Sequence, residues 1–305
     1  MIDHDSAYDG LVEAEGDARW AFGTSFDDPL AGVDTTLPVG VDGSTLATYC
    51  LMLGDDALVL AQRLAEWSTH APELEEEVAL ANIGLDLIGQ ARLLLARAAA
   101  ADPHMVPALP DGSPVPPEDR LAFFRDQFGF RNVQLTERPD DDFAAAIARL
   151  LLFSTWRLEL LEALRSSKDS VLAAVANKGV KEVRYHREYA ARWFVTLAQG
   201  TEESRRRIRD GLQSIWPYVN ELATVHPAEQ ALLAQDVAAS PAEAQQAALR
   251  AVDTVLAAAD LPRPTIRPVG TMAGRSGRDG VHSEALGLML DEMQSVARAH
   301  PMGRW

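Results

Sequence analysis

His186 is the side chain in this sequence that most resembles a metal ligand. It falls on an apolar helical stripe made of Leu172, Val175, Gly179, Val183, His186, Ala190, Trp193 and Leu197, with Glu182 one turn before it. Glu159 and Glu162 stand on the preceding helical segment, so an imidazole and carboxylates would be available to one divalent cation. One imidazole is a thin ligand set, however. The same pattern fits a core histidine hydrogen-bonded to Glu182 or a neighbouring carboxylate, and the spacing favours that reading.

Two further polar sets call for the same comparison. Asp56, Arg63, Glu66 and His70 share one helix flank at steps of seven, three and four. They could relay protons, but ionic side chains at such steps more often form ion pairs that tie helices or a partner together. Asn82, Asp86 and Gln90 lie four apart between two apolar stripes of a long segment. They either line a ligand cavity or act as hydrogen-bonded core groups, since an unpartnered buried carboxylate is costly. The run Gly274-Arg275-Ser276-Gly277-Arg278-Asp279-Gly280 could meet a phosphate, but it lacks the lysine and the preceding strand of a P-loop and reads as a surface loop. No Gly-x-Ser-x-Gly, Cys/His pair or dinucleotide fingerprint is present.

The elements that must position these groups are helices. A heptad-like stripe, Leu46, Cys50, Leu53, Ala57, Leu60, Leu64 and Trp67, predicts a helix over about 44–69, capped by Ser44 or Thr45. Pro72 and Glu73 to Glu77 open a second helix, about 72–99, after a connection that permits only an antiparallel pair. This second helix has two apolar stripes. Leu74, Val78, Ala81, Leu85, Ile88 and Leu95 form one, and Leu80, Gly84, Leu87, Ala91, Leu94 and Ala98 the other, so it reads as buried on two sides at the centre of a bundle.

A proline-rich break from Pro103 to Pro117 and a crossing helix over 118–130 lead to a second hairpin, with helices at about 143–165 and 170–199 and Gly200 as its stop. Further helices follow from Thr201 to Ile215, after the cap Ser240-Pro241-Ala242-Glu243, and from about Ser283 to Ala299. Two hairpins joined by a long crossing connection predict an all-α, ferritin-like four-helix bundle with additional C-terminal helices. The expected organisation is an acidic tail or strap over 1–42 and a single helical domain over 43–305.

Ferritin-like bundles best known for chemistry hold two irons with a Glu-x-x-His pair on each of two helices. Stepping back three residues from each histidine gives Met1, Trp67, Ala101, Val183, Ala223, Asp279 and Ala297, and only Asp279 is a ligand type. The segment 72–99 has no histidine at all. The ordinary di-iron centre is therefore not expected. A formal charge of −17 argues against affinity for nucleic acid or an anionic membrane. Cys50 stands alone, which excludes an intrachain disulfide. No leader and no apolar membrane span is read in the sequence, so a cytoplasmic location is expected.

The long motifs carry a resemblance. Asp55-Asp56 through Gln62-Arg63 and Glu66-Trp67, then His70 through Asn82, Asp86 and Gln90-Ala91-Arg92, are similar to the PaaC family, one of the component families of bacterial ring-1,2-phenylacetyl-CoA epoxidases. So are Lys181-Glu182, Arg184-Tyr185-His186, the run Gly200 to Ser204, and the ending from His282-Ser283-Glu284 through Met293-Gln294-Ser295 and Ala299-His300-Pro301 to Trp305. The resemblance begins at about residue 44. It implies a ferritin-like fold and a place in a multicomponent monooxygenase of phenylacetate breakdown. A related oxygenase component would hold the di-iron site and bind the substrate, a flavin/iron–sulfur reductase would supply electrons, and this chain would hold no cofactor.

Against the Asp-Glu-x-Gly-His pattern of iron-binding relatives, this chain has Leu87 in the Glu place and Gln90 in the His place, and Val183 precedes His186. The resemblance thus implies an iron-free, non-catalytic component that pairs with the di-iron oxygenase component in a hetero-oligomer. A metal-binding oxygenase in its own right, built around His186, is the alternative. An unrelated helical interaction protein is a third reading.

Overall fold

The computed structural model describes residues 30 and 32–303, so the acidic stretch over 1–29 lies outside the described residues. From Val33 onward the described chain belongs to one compact unit. Residues 33–42 run along it, where the Arg97 guanidinium donates to the carbonyls of Thr35 (2.6 Å) and Thr36 (3.2 Å).

Helix α1 (Gly43–Ala65) starts on Asp42, whose carboxylate accepts from the backbone N–H of Thr45 and from the hydroxyls of Ser44 and Thr45. The cap therefore lies ahead of both Ser44 and Thr45: one carboxylate satisfies three donors at once. α1 ends short of Trp67, and α2 (Leu74–Ala101) returns antiparallel to it. The crossing connection holds two short helices, α3 (Pro117–Phe123) and α4 (Gln134–Glu137), in place of one helix reaching Phe130. α3 stops because Arg125 folds back, its Nε donating to the Leu121 carbonyl, and carries its guanidinium to α1.

The second hairpin, α5 (Phe143–Leu164) and α6 (Ser170–Gln199), follows the expected bounds, each capped by an aspartate side chain, Asp142 and Asp169. Gly200 ends α6 with a negative φ, so its role is space rather than handedness: a β-carbon there would press on the Ser204 hydroxyl. α7 (Glu202–Ile215) and α9 (Pro241–Ala258) begin at the caps Thr201 and Ser240 and pack on α5. α8 (Pro227–Leu233), which the sequence does not predict, covers α1, and α10 (Glu284–Ala299) closes the chain against α3. Among the described residues there is no strand, only an isolated bridge between Met272 and Arg275. The fold is all-α and ferritin-like, with α1, α2, α5 and α6 as its four long helices.

The centre of the bundle is not where the two stripes of α2 put it. α1 and α5 are buried along almost their whole length, whereas α2 buries one face. Leu74, Val78, Leu85 and Ile88 are 72, 52, 64 and 47% exposed, Ala81 is exposed as well, and only Leu95 of that stripe is enclosed. Both α1 and α2 are long and apolar enough to cross a membrane by length and composition, contrary to the expectation from sequence. α1 reaches that composition as a helix enclosed by its own chain; α2 reaches it with an apolar face that the described residues leave uncovered.

Candidate functional site

The degenerate ligand positions meet at the seam of α2 and α6. Leu87 and Val183 are fully buried, and Gln90 and His186 nearly so. His186 Nε2 lies 2.9 Å from Asp86 Oδ2, so the carboxylate that orients it comes from α2 and is not Glu182. Gln90 donates from Nε2 to Glu182 Oε2 at 3.0 Å and accepts at Oε1 from Arg157 at 3.3 Å. Glu182 also faces Lys178 at 3.7 Å.

Arg157 is the side chain that sequence reasoning missed. It is fully buried on α5, and its other amino group donates to the Leu53 carbonyl of α1 at 3.0 Å. Burial pulls its pKa down to about 10, Asp56 opposes that, and Arg278 adds to it, so the guanidinium stays charged at neutral pH. A permanent cation thus sits at the junction of α1, α2 and α5.

This arrangement does not fit a di-iron centre. Leu87 and Val183 offer no donor, and the Gln90 amide is engaged at both ends. A metal ion bound to Gln90 would lie about 5 Å from the Arg157 guanidinium. With an effective dielectric constant of about 20, a divalent ion and a guanidinium at that distance repel by about 6 kcal/mol. Among the described residues, no group of three or more His, Cys, Asp and Glu side chains has the geometry to hold a metal.

The remaining polar candidates scatter. Asn82 and Glu66 are exposed, not buried: Asn82 projects from the uncovered side of α2, and Glu66 is the C-cap just past the end of α1. Glu162 is half-buried and pairs with Arg165 and Arg184, away from His186. Glu159 is half-buried too. Asp56, Arg63, Glu66 and His70 form no relay. Arg63 binds Glu66 (2.6 Å) and the carbonyls of Glu137 and Ala285, while the His70 ring meets the Glu66 backbone.

Asp56 belongs instead to a twin clamp. Arg278 pairs with it in bidentate fashion (3.0 and 2.8 Å), and Arg125 does the same to Asp55 (3.0 and 2.5 Å). The backbone N–H groups of Val133 and Arg131 donate to Asp56 and Asp55, both at 2.8 Å. Burial disfavours the Arg278 charge, but Asp56 and Glu229 outweigh it and hold its pKa above the ordinary value. The glycine-rich run is a surface loop only in its first part: Gly274 and Arg275 are exposed, whereas Ser276, Gly277 and Arg278 are buried. A β-carbon at Gly277 would collide with the Asn132 carbonyl, so only glycine lets the loop enter.

A family model described as "Phenylacetic acid catabolic protein" matches residues 35–305. This chain belongs to that family. Its sequence is similar to the C-type component of the 1,2-phenylacetyl-CoA epoxidase of Escherichia coli (strain K12), with 39% identity over 261 residues covering 85% of this chain and 99% of the relative. Within this family, the structure shows a chain whose α2–α6 seam holds a histidine hydrogen-bonded to Asp86 and a Gln90–Glu182 amide bridge, with the Arg157 cation of α5 against the other end of that amide.

Glu221 steadies the arginine loop from the other side, its carboxylate accepting from the backbone N–H groups of Gln134 (2.7 Å) and Gly277 (2.9 Å). Burial outweighs those two bonds and pushes its pKa up from 4.5 to about 7. The unfolded chain gives up this proton at lower pH than the folded protein does. Glu221 therefore costs stability progressively as pH rises from about 4.5 to 7. Thermal unfolding of the wild type and of Glu221→Gln across pH 5–8 is expected to show the difference shifting in favour of the variant with rising pH. A pH-independent difference would overturn the assignment.

Proposed function

We propose that this chain is the iron-free structural component of a 1,2-phenylacetyl-CoA epoxidase of aerobic phenylacetate breakdown, pairing with the component that carries the di-iron centre. The observation that carries this reading is the bundle centre, where Leu87, Gln90 and Val183 stand at ligand positions and the Arg157 guanidinium occupies the space beside them. No step of the oxygenation is assigned to this chain. Iron and the phenylacetyl-CoA ester belong to the partner, and electrons come from a flavin/iron–sulfur reductase. The complex works in the cytoplasm.

The exposed stripe of α2 is the docking face in this reading. Leu74 to Ile88 spans roughly 21 Å of helix. Removing these half-exposed side chains from water is worth about 5 kcal/mol, a useful share of the free energy of a stable pair. Elemental analysis of the chain purified alone after exposure to ferrous iron, and again after co-expression with the di-iron component, tests the reading. Iron near zero in the first sample, and a stable hetero-oligomer with all iron on the partner in the second, are expected. About two irons per chain in the isolated protein, lost in His186→Ala, would favour an oxygenase in its own right.

A further inference from the structure

On a chain of formal charge −17, one cleft has a cationic wall. Its volume is about 480 Å3, within the range of small-molecule sites, and Arg125, Arg131, Arg275, Arg278 and His226 line it together with a single acid, Asp279. Thr48 and Leu51 of α1 form the floor. The five cationic or imidazole groups come from three separate stretches of chain: the crossing connection, the cap of α8 and the arginine loop.

Two of the guanidiniums are neutralised, since Arg125 and Arg278 are spent on Asp55 and Asp56. The other two are not. Arg131 uses one amino group on the carbonyls of Phe128 (2.8 Å) and Phe130 (3.0 Å), and its remaining guanidinium N–H groups have no acceptor among the described residues. Arg275 uses one amino group on the Asp279 carbonyl at 2.7 Å, and its Nε and second amino group are likewise open. His226 accepts at Nδ1 from the Ala228 N–H at 3.2 Å, which leaves Nε2 as the N–H of the neutral ring, 3.7 Å from Asp279.

Burial weighs on the charged forms of the groups inside the cleft. Burial holds His226 below its ordinary pKa, with Arg131 and Arg278 adding to the effect and Asp279 opposing it. Arg131 is likewise held down, first by burial and then by Arg125 and Arg275, against the pull of Asp55 and Asp279. Like charges kept this close are held by the backbone. Gly280 adopts φ +76°, and a β-carbon there would strike the Phe128 carbonyl and the Arg131 guanidinium, so the loop closes directly onto Arg131.

We propose that this cleft binds the phosphoryl group of a phosphorylated small molecule. Open N–H donors on two guanidiniums and one imidazole N–H, converging from different segments, match a tetrahedral polyanion with acceptor oxygens in several directions; a planar carboxylate would be served by one guanidinium alone. Inorganic phosphate and the phosphates of a coenzyme A ester share this chemistry. The inference does not depend on the proposed function, because it stands on charge and geometry within this chain.

Calorimetric titration of the full-length chain with inorganic phosphate, pyrophosphate and coenzyme A tests it. Saturable binding that weakens with salt is expected, reduced at least tenfold by Arg275→Glu and by Arg131→Gln, and unchanged by Arg250→Glu at an exposed site elsewhere. Arg275 is exposed, so the glutamate variant will fold. Coenzyme A binding at least tenfold tighter than phosphate would identify a coenzyme A ester as the source; equal affinities would identify free phosphate. The His226 imidazole resonances should also titrate at higher pH with ligand bound. Absence of saturable binding to all three probes, or affinity indifferent to Arg275→Glu, would overturn the proposal.

Discussion

Replacing Leu85 and Ile88 of α2 together by glutamate is expected to leave the isolated chain folded and to weaken its association with the di-iron component proposed as its partner by more than a hundredfold. Both side chains are about half in water in the free chain, so charge there changes stability little, within about 1 kcal/mol. In the complex each carboxylate would be carried into an apolar interface without a partner. That penalty is on the order of several kcal/mol per group, well above the roughly 2.7 kcal/mol that a hundredfold represents. Leu288→Glu on α10 is the control, since Leu288 is 65% exposed but lies on a different helix. Co-purification and sedimentation of each variant with the partner would read the outcome. Loss of binding in Leu288→Glu alone would move the interface to α10. A chain that dimerises by itself, and is made monomeric by the α2 variant, would make a second copy the occupant of the stripe.

The second large effect is expected at Arg278. Arg278→Met removes a buried guanidinium that satisfies both oxygens of Asp56 and the carbonyls of Met52 and Arg131. The Asp56 carboxylate is left buried with one backbone N–H as its hydrogen-bond donor and the Arg157 charge as a more distant partner. Breaking one side of such a pair costs about 3–5 kcal/mol. In a domain of this size that corresponds to a fall in melting temperature of about 10 °C. The double variant Asp56→Asn, Arg278→Met should recover part of the loss, because the uncompensated charge is gone, and thermal denaturation of all four proteins in the cycle would measure the coupling. Additive losses would show that the two groups stabilise the fold separately.

These two results bear on different levels of the molecule, and the levels were not equally legible. The helices came through because their signals are local. Asp169 before α6, Thr201 before α7 and Ser240-Pro241 before α9 are caps that act within four residues. The apolar periodicity of α5 and α6 required partners whichever side they stood on. The expectation that no ordinary di-iron centre is built here rests on residue type in the same local way, because the Leu87 and Val183 side chains carry no donor atom.

What could not be read was which partner each polar side chain chose. The Asp55–Arg125 and Asp56–Arg278 pairs join residues 70 and 222 positions apart, and no spacing rule connects them. The glycine run looked like a surface loop because arginine and glycine are common there. Its later part is buried because Gly277 has no β-carbon to strike Asn132 and because Asp56 waits beneath it. His186 was matched to Glu182 or a neighbouring carboxylate, and the choice stayed open because Asp86 and Glu182 are equally good partners until the α2–α6 crossing sets the distance.

The sequence by itself determined the all-α class, the two hairpins and the family, since each rests on residue type or on contacts within a few turns of helix. Only the tertiary structure decided that α1 and α5 form the centre, that Arg157 fills it, and that one apolar face of α2 stays open. An apolar stripe records that water must be excluded, not whether the covering surface belongs to the same chain or to another. That choice is made by long-range packing, where side chains compete for one another across the whole chain.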